Sequence, residues 1–284
     1  MTARTITALL DASVYAPSVC EHAVWAASRL GLPVDLVHVL VRKAVHSADY
    51  SGSIALGART ALLSELARLD EERARVAHEH GRAILDDAEA LVRERGVAAV
   101  SSRLRHGEVV EAVTGIEAGA ELIVVGKRGE AADFETLHLG SNLERLARSV
   151  SRPLLVAARS FRPVEKVLVA FDGGPSVVKA VDYIARSPLF SGLHIHLLMA
   201  GEPNTAQKAS LSSAEDKLKS AGFDVLTGIV PGDPEPVISS NVEHNGIGLL
   251  VMGAYGHSRL RSLIIGSTTT QMLRSCKVPV LLFR

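Results

Sequence analysis

Only two cysteines, Cys20 and Cys276, occur in the 284 residues; they lie far apart and neither belongs to a C-x2-C pair. That argues against a disulfide framework and a thiolate zinc site, and leaves each thiol as a small buried hydrophobe. Aromatic residues make up 4% of the chain, too few for the stacking platforms that hold single-stranded nucleic acid. Net charge is also missing: 31 Lys and Arg balance 31 Asp and Glu. Nothing electrostatic therefore favours nucleic acid or an anionic membrane surface as a partner. No apolar run approaches the ~20 residues of a membrane span. The first run, ITALL, stops at Asp11 and lacks the basic start of a secretory signal. A soluble cytoplasmic protein is the expectation. No G-x4-G-K-[S/T] loop exists, and no G-x-G-x-x-G follows the first apolar run of either half. By motif this is neither a Walker-type NTPase nor a standard dinucleotide fold.

What is present is a pattern that occurs twice. ITALLDAS near the start and KVLVAFDGG downstream are apolar runs ending at Asp11 and Asp172, an offset of 161. Each leads into a Pro (Pro17, Pro175) and an amphipathic helical stretch, then a second apolar run, VDLVHVL or LHIHLLMA. Later come ELIVVGKRG and LLVMGAYG, and each half closes on a last apolar run, RPLLVAAR or VPVLLFR. Gly140 and Gly266 are offset by 126, as are Pro153 and Pro279, so the second half lacks about 35 residues that the first half contains. The spacing puts the boundary near Ser160–Pro163 and divides the chain into 1–160 and 161–284. Short apolar runs alternating with helical stretches imply βαβ units. The fold expected is α/β, with two tandem five-stranded parallel sheets buried on both faces. Ligands in such sheets sit beyond the carboxyl ends of the strands.

The extra segment of the first half predicts a long charged helix over about 59–95, led by the Ser/Gly-rich HSADYSGSIALG. Leu62, Leu66, Leu69 and Val76 mark its apolar stripe, and Glu71–Arg75 offers i,i+4 support. A surface helix is the plain interpretation of 46–80, and a partner-binding or lid element the sharper one. His78 and His80 sit two apart on a helix, so their rings diverge and make no metal box. His194 and His196 share a strand face without an evident third ligand. His38 reads as a satisfied buried histidine.

The richest motif is in the second half. Gly253-Ala-Tyr-Gly256 follows a strand-like run, and nine residues later Gly266-Ser267-Thr268 opens a helical stretch. Taken singly, each glycine is a turn former and Ser267 an N-cap. Together, bare amides and hydroxyls at a strand-to-helix junction make an anion cradle, with His257, Arg259 and Arg261 adding positive charge.

On these residues the chain resembles the universal stress protein family, as two domains fused head to tail. Gly253, Gly256, Gly266 and Ser267 match the G-x2-G-x9-G-[S/T] of the family's ATP-binding members, and Asp172 matches the Asp that ends its first strand. The resemblance implies a Rossmann-like fold of the adenine nucleotide alpha hydrolase type. It implies ATP, with Mg²⁺ on the phosphates, held by Asp172, Met199, Val230, Gly253, Gly256, His257, Gly266, Ser267 and Thr268. Met199 would line the adenine pocket, and Val230-Pro-Gly232-Asp233 resembles the family's loop before its third helix.

The first half departs from the pattern: ten residues, not nine, separate Gly129 from Gly140. A second, weaker nucleotide set would be Asp11, Val39, Gly126, Gly129, Gly140 and Ser141, with Val39 taken as the counterpart of Met199 and with Lys127 and Arg128 supplying positive charge.

By resemblance, the last strands of the two halves pair and make the chain an intramolecular pseudo-dimer; a further homodimer is compatible with it. The reading preferred is a nucleotide-dependent regulator of stress response, read out by a protein partner and binding ATP without efficient turnover. No motif residue is an evident base for activating water. The alternatives are a slow ATP-hydrolysing enzyme, or a scaffold for dimerisation or another small molecule.

Overall fold

The computed structural model describes residues 4–41, 56–128, 140–254 and 266–284, without the side chains of 56–62 and 141. The first half runs β1 (Thr5–Leu10), α1 (Ala16–Leu30), β2 (Val34–Leu40), α2 (Leu56–Glu94), β3 (Val100–His106), α3 (Val109–Thr114), β4 (Ala120–Gly126), α4 (Ser141–Ser149), β5 (Leu154–Ala157). The second runs β6 (Lys166–Ala170), α5 (Pro175–Arg186), β7 (His194–Ala200), α6 (Thr205–Ser220), β8 (Val225–Val230), α7 (Pro234–His244), β9 (Leu249–Gly253), α8 (Ser267–Ser275), β10 (Val280–Phe283). Local chemistry sets the ends. Pro lies in the first turn of α1, α5 and α7, where its missing N–H has no intrahelical role. Gly31, at φ 64°, stops α1. Asn204 and Gln207 form a reciprocal capping box on α6.

All ten strands join one sheet in the order β3-β2-β1-β4-β5-β10-β9-β6-β7-β8. Within each half the pairings are parallel. The near-continuous apolar strands follow from burial on both faces. One face packs α1, α2, α5 and α6, with Ile6, Leu36, Val167 and Ile195 in its core. The other packs α3, α4, α7 and α8, with Ile123, Leu146, Leu250 and Met272. The strand order reverses between β1 and β4 and again between β6 and β9, which makes two switch points, one per half.

The halves meet at β5 and β10, the last strands, which pair antiparallel through Leu154↔Leu282, Leu155↔Leu281 and Val156↔Val280. All six side chains are buried, each contributing about 1.5–3 kcal/mol of hydrophobic stabilisation. Capping bonds cross the same seam. Arg284 Nη1 donates to Ser149 O at 3.1 Å, and Arg29 Nε donates to Leu189 O at 2.6 Å.

Only the C-terminal part of α2 lies on the sheet, where Leu85, Ala88 and Val92 are buried. Gly81 sets the approach: a Cβ there would stand 2.8 Å from Leu104 Cδ1 and 2.9 Å from His38 Cδ2. Above it the helix faces solvent and pairs its own charges. Arg75 bonds Glu79 at 3.0 Å rather than Glu71, and Arg68 bridges Glu65 and Glu72. The Glu71–Arg75 expectation fails because Glu79 offers Arg75 the same i,i+4 reach on its other side. His38 is buried, its Nδ1 2.8 Å from Leu10 O. Most of the Ser/Gly-rich lead-in to α2 lies outside the described residues.

Candidate functional site

Asp172 lies just past β6, one residue (Phe171) beyond its end, at the rim formed by the strands' carboxyl ends. Its Oδ1 accepts the Gly174 N–H at 2.8 Å, a turn that the left-handed Gly173 (φ 77°) completes before Pro175 opens α5. Asp11 repeats the device, accepting the Ser13 N–H at 3.0 Å.

Gly253 ends β9, the strand beside β6. The chain leaves the rim at Ala254 and is back at Gly266, whose N–H donates to Ala254 O at 3.2 Å. Thr269, 3% exposed, donates its Oγ1 to Gly253 O at 3.0 Å. These two bonds hold the first turn of α8 against the end of β9. The amides of Ser267, Thr268 and Thr269 open that helix without acceptors inside it, so an anion at the junction has donors and the positive end of a helix dipole. Ser267 is exposed and Thr268 half-buried. The Gly266 amide is not one of those donors, because Ala254 already holds it.

Beside the junction is a small apolar floor. Ala170, Ala200 and Val230 end β6, β7 and β8 and are half-buried, with Ala200 paired to Val230. Ala170 and Val230 pack on the α7/α8 face. Ala200 shares that face by strand alternation with Leu198. Met199 therefore points the other way. It is 2% exposed in the core under α5 and α6, and its side chain does not reach this floor. Gly232, at φ 127°, turns the chain after Val230 into Asp233, which precedes α7 without a side-chain cap.

Gly256, His257, Arg259 and Arg261 lie outside the described residues. The remaining second-half candidates, Asp172, Val230, Gly253, Gly266, Ser267 and Thr268, all come to one rim.

In the first half, Asp11, Gly126 and Gly140 occupy the matching rim, Ser141 opens α4, and Gly129 is outside the described residues. Two expectations for this half are corrected. Val39 is not the counterpart of Met199. The ladder pairs Leu9 with Val37 and Ala170 with Leu198, so His38 stands where Met199 does, and Val39 where Ala200 does. Lys127 is not a cation waiting at the rim: its Nζ donates to Cys276 O, at the end of α8 in the other half, at 2.8 Å.

Among the described residues, no group of three or more His, Cys, Asp or Glu side chains could hold a metal ion. His194 Nδ1 lies 2.8 Å from Asp224 Oδ2.

Thr269 was missed in the sequence because a threonine one turn into a helix looks like any other; its hydroxyl bond exists only once β9 is alongside. The match of Val39 to Ala200 was legible, since the offset of 161 that links Asp11 to Asp172 carries one to the other.

A doubled parallel sheet with a strand-to-helix junction at each rim matches a known family. The sequence profile of the universal stress protein family fits twice, at residues 2–158 and 163–284. Universal stress protein Slr1230 of Synechocystis sp. is 37% identical over 286 residues, covering 99% of this chain and 100% of that relative. The fold is also that of a universal stress protein from Archaeoglobus fulgidus, with a TM-score of 0.75 at 19% identity, covering 100% of this chain and 99% of that one. A universal stress protein solved in complex with cAMP is 27% identical, covering 43% of this chain and 98% of that one, with a TM-score of 0.37. The chain belongs to the universal stress protein family, in its tandem form.

Proposed function

We propose that the second half binds an adenine nucleotide, ATP with Mg²⁺, and that the protein acts as a cytoplasmic regulator in stress response. One observation carries the assignment. The first turn of α8 is tied to the end of β9 by Thr269–Gly253 and Gly266–Ala254, on the rim that also carries Asp172 and the Ala170–Ala200–Val230 floor. That combination fits a ligand with a flat apolar base at one end and anionic oxygens at the other. The base would lie on the floor, Asp172 would take ribose or base N–H and O–H groups, and the amides of Ser267 and Thr268 would receive the phosphates. The phosphates would also bind Mg²⁺, which would partly neutralise their charge. Gly256 and His257 complete the set by resemblance to the family motif.

Binding rather than turnover follows from the chemistry of these groups. Amides and hydroxyls at a helix start stabilise an anion but do not deprotonate water. Occupancy would stabilise the nucleotide-bound form by mass action, and a protein partner would read that form; pairing into a homodimer is compatible with it.

Mass spectrometry of nucleotide released from the purified chain, with titration calorimetry against ATP, tests the assignment. Intact ATP and micromolar or tighter affinity are expected, and Ser267→Glu is expected to weaken binding at least 100-fold by placing a carboxylate among the phosphate donors. Absence of any bound nucleotide, with no calorimetric response to ATP, refutes it.

A further inference from the structure

The two halves share a rim architecture but not its contents. The strand registers fix which residues correspond. Leu9↔Val37 matches Ala170↔Leu198, and Val39↔Arg105 matches Ala200↔Val230. The floor that is Ala170, Ala200 and Val230 in the second half is thus Leu9, Val39 and Arg105 in the first.

Each replacement is larger. Leu9 is buried where Ala170 is half-exposed. Arg105 is half-buried and its Nε is buried with no hydrogen-bond partner among the described residues. A guanidinium takes up the end of the floor where Val230 leaves an apolar surface.

The junction is filled as well. Asp11 and Pro17 are six positions apart where Asp172 and Pro175 are three apart, and Tyr15 belongs to that longer turn. Tyr15 is 7% exposed and packs against Gly126, so that a Cβ on Gly126 would sit 2.9 Å from Tyr15 Cβ and 3.5 Å from its Cγ. Leu143, 2% exposed, replaces Thr269, and the hydroxyl bond that ties the second-half helix to its strand has no equivalent. Lys127, the first residue after β4, is held by the carbonyl of Cys276.

We infer that the chain is a one-site protein: its second half alone takes the nucleotide, and the rim of the first half is closed by its own side chains, with Tyr15 and Arg105 in the space the ligand would need. Both ends of a nucleotide are refused there. The base meets Leu9, Val39 and Arg105 instead of a small apolar floor. The phosphates meet a junction crowded by Tyr15. The first half then serves as the fixed partner of β10 and, through Lys127, as a cap on the far end of α8.

This rests on the nucleotide reading of the second half, and stoichiometry separates the two. Calorimetry of the full chain with ATP and Mg²⁺ should give one site per chain. Ser267→Glu, with its fold checked by circular dichroism, should leave no site. Photolabelling with 8-azido-ATP followed by peptide mapping should mark peptides of residues 163–284 only. Two sites per chain, a site surviving in Ser267→Glu, or label in peptides of the first half overturns the one-site inference alone. No site in the wild-type chain overturns the nucleotide reading and this inference with it.

Discussion

Lys127 donates from its ammonium to the backbone carbonyl of Cys276, 2.8 Å away. It stands at the end of β4 in the first half, and Cys276 at the end of α8 in the second. The contact joins the rim of one half to the helix whose opposite end is the proposed phosphate site. A cation at a helix C-terminus also complements its dipole.

Burial pushes the Lys127 ammonium down from 10.5 to about 8. Between those values the unfolded chain holds a proton that the folded chain has released, so the contribution of this group to stability rises with pH through that window. The expected outcome is that Lys127→Met, compared with wild type, loses this rising component between pH 8 and pH 10.5. Melting temperatures recorded across that range check it, and parallel curves for the two proteins contradict it.

His22 governs the acid side. It is fully buried, its Nδ1–H donates to Ser18 O at 2.6 Å, and its ring meets Phe161 edge-on at 5.1 Å. Burial pushes the imidazole down from 6.5 to about 4. As pH falls through that interval the unfolded chain takes up the proton and the folded chain resists it. About 3 kcal/mol of stability should therefore be lost on reaching the lower value. Urea denaturation near neutrality and near pH 4 should show that loss, and His22→Leu should show a smaller one.

Thr269→Val keeps shape and removes the hydroxyl that bonds Gly253 O. Losing one such bond should lower stability by about 1 kcal/mol. Because α8 then sits less firmly on β9, ATP affinity should fall as well, about 3- to 10-fold. Calorimetry beside urea denaturation reads both, and unchanged affinity would detach this bond from the site.

Gly81 is the point where α2 touches the sheet, with Leu104 and His38 already at 2.8 and 2.9 Å from any added Cβ. Gly81→Val should destabilise the fold by about 1–3 kcal/mol through overpacking. An exposed position on the same helix, Glu72→Val, should change stability by less than about 0.5 kcal/mol. Equal effects at the two sites would show that the contact is not close.

Much of this was legible beforehand. The duplicated apolar runs ending at Asp11 and Asp172 announce two switch-point rims, because a strand buried on both faces has few ways to be written. The spacing of Gly253 and Gly266 likewise announces a strand-to-helix junction. What failed did so for identifiable reasons. The family resemblance puts Met199 in the pocket, but strand alternation turns it to the α5/α6 core. Lys127 reads as a rim cation in the sequence because nothing in a linear chain shows that a carbonyl 149 residues away lies within its reach.

By itself, then, the order of residues determined the α/β class, the twofold repeat and the junction after the fourth strand of each half, since periodicity, Pro placement and glycine spacing are local properties. The tertiary structure alone decided which face each strand residue presents, which carbonyl each long side chain finds, and that Tyr15 and Arg105 fill one rim while Val230 stands in the place of Arg105 at the other. Those outcomes depend on strand register and on contacts between distant segments, and such contacts exist only when the sheet is assembled.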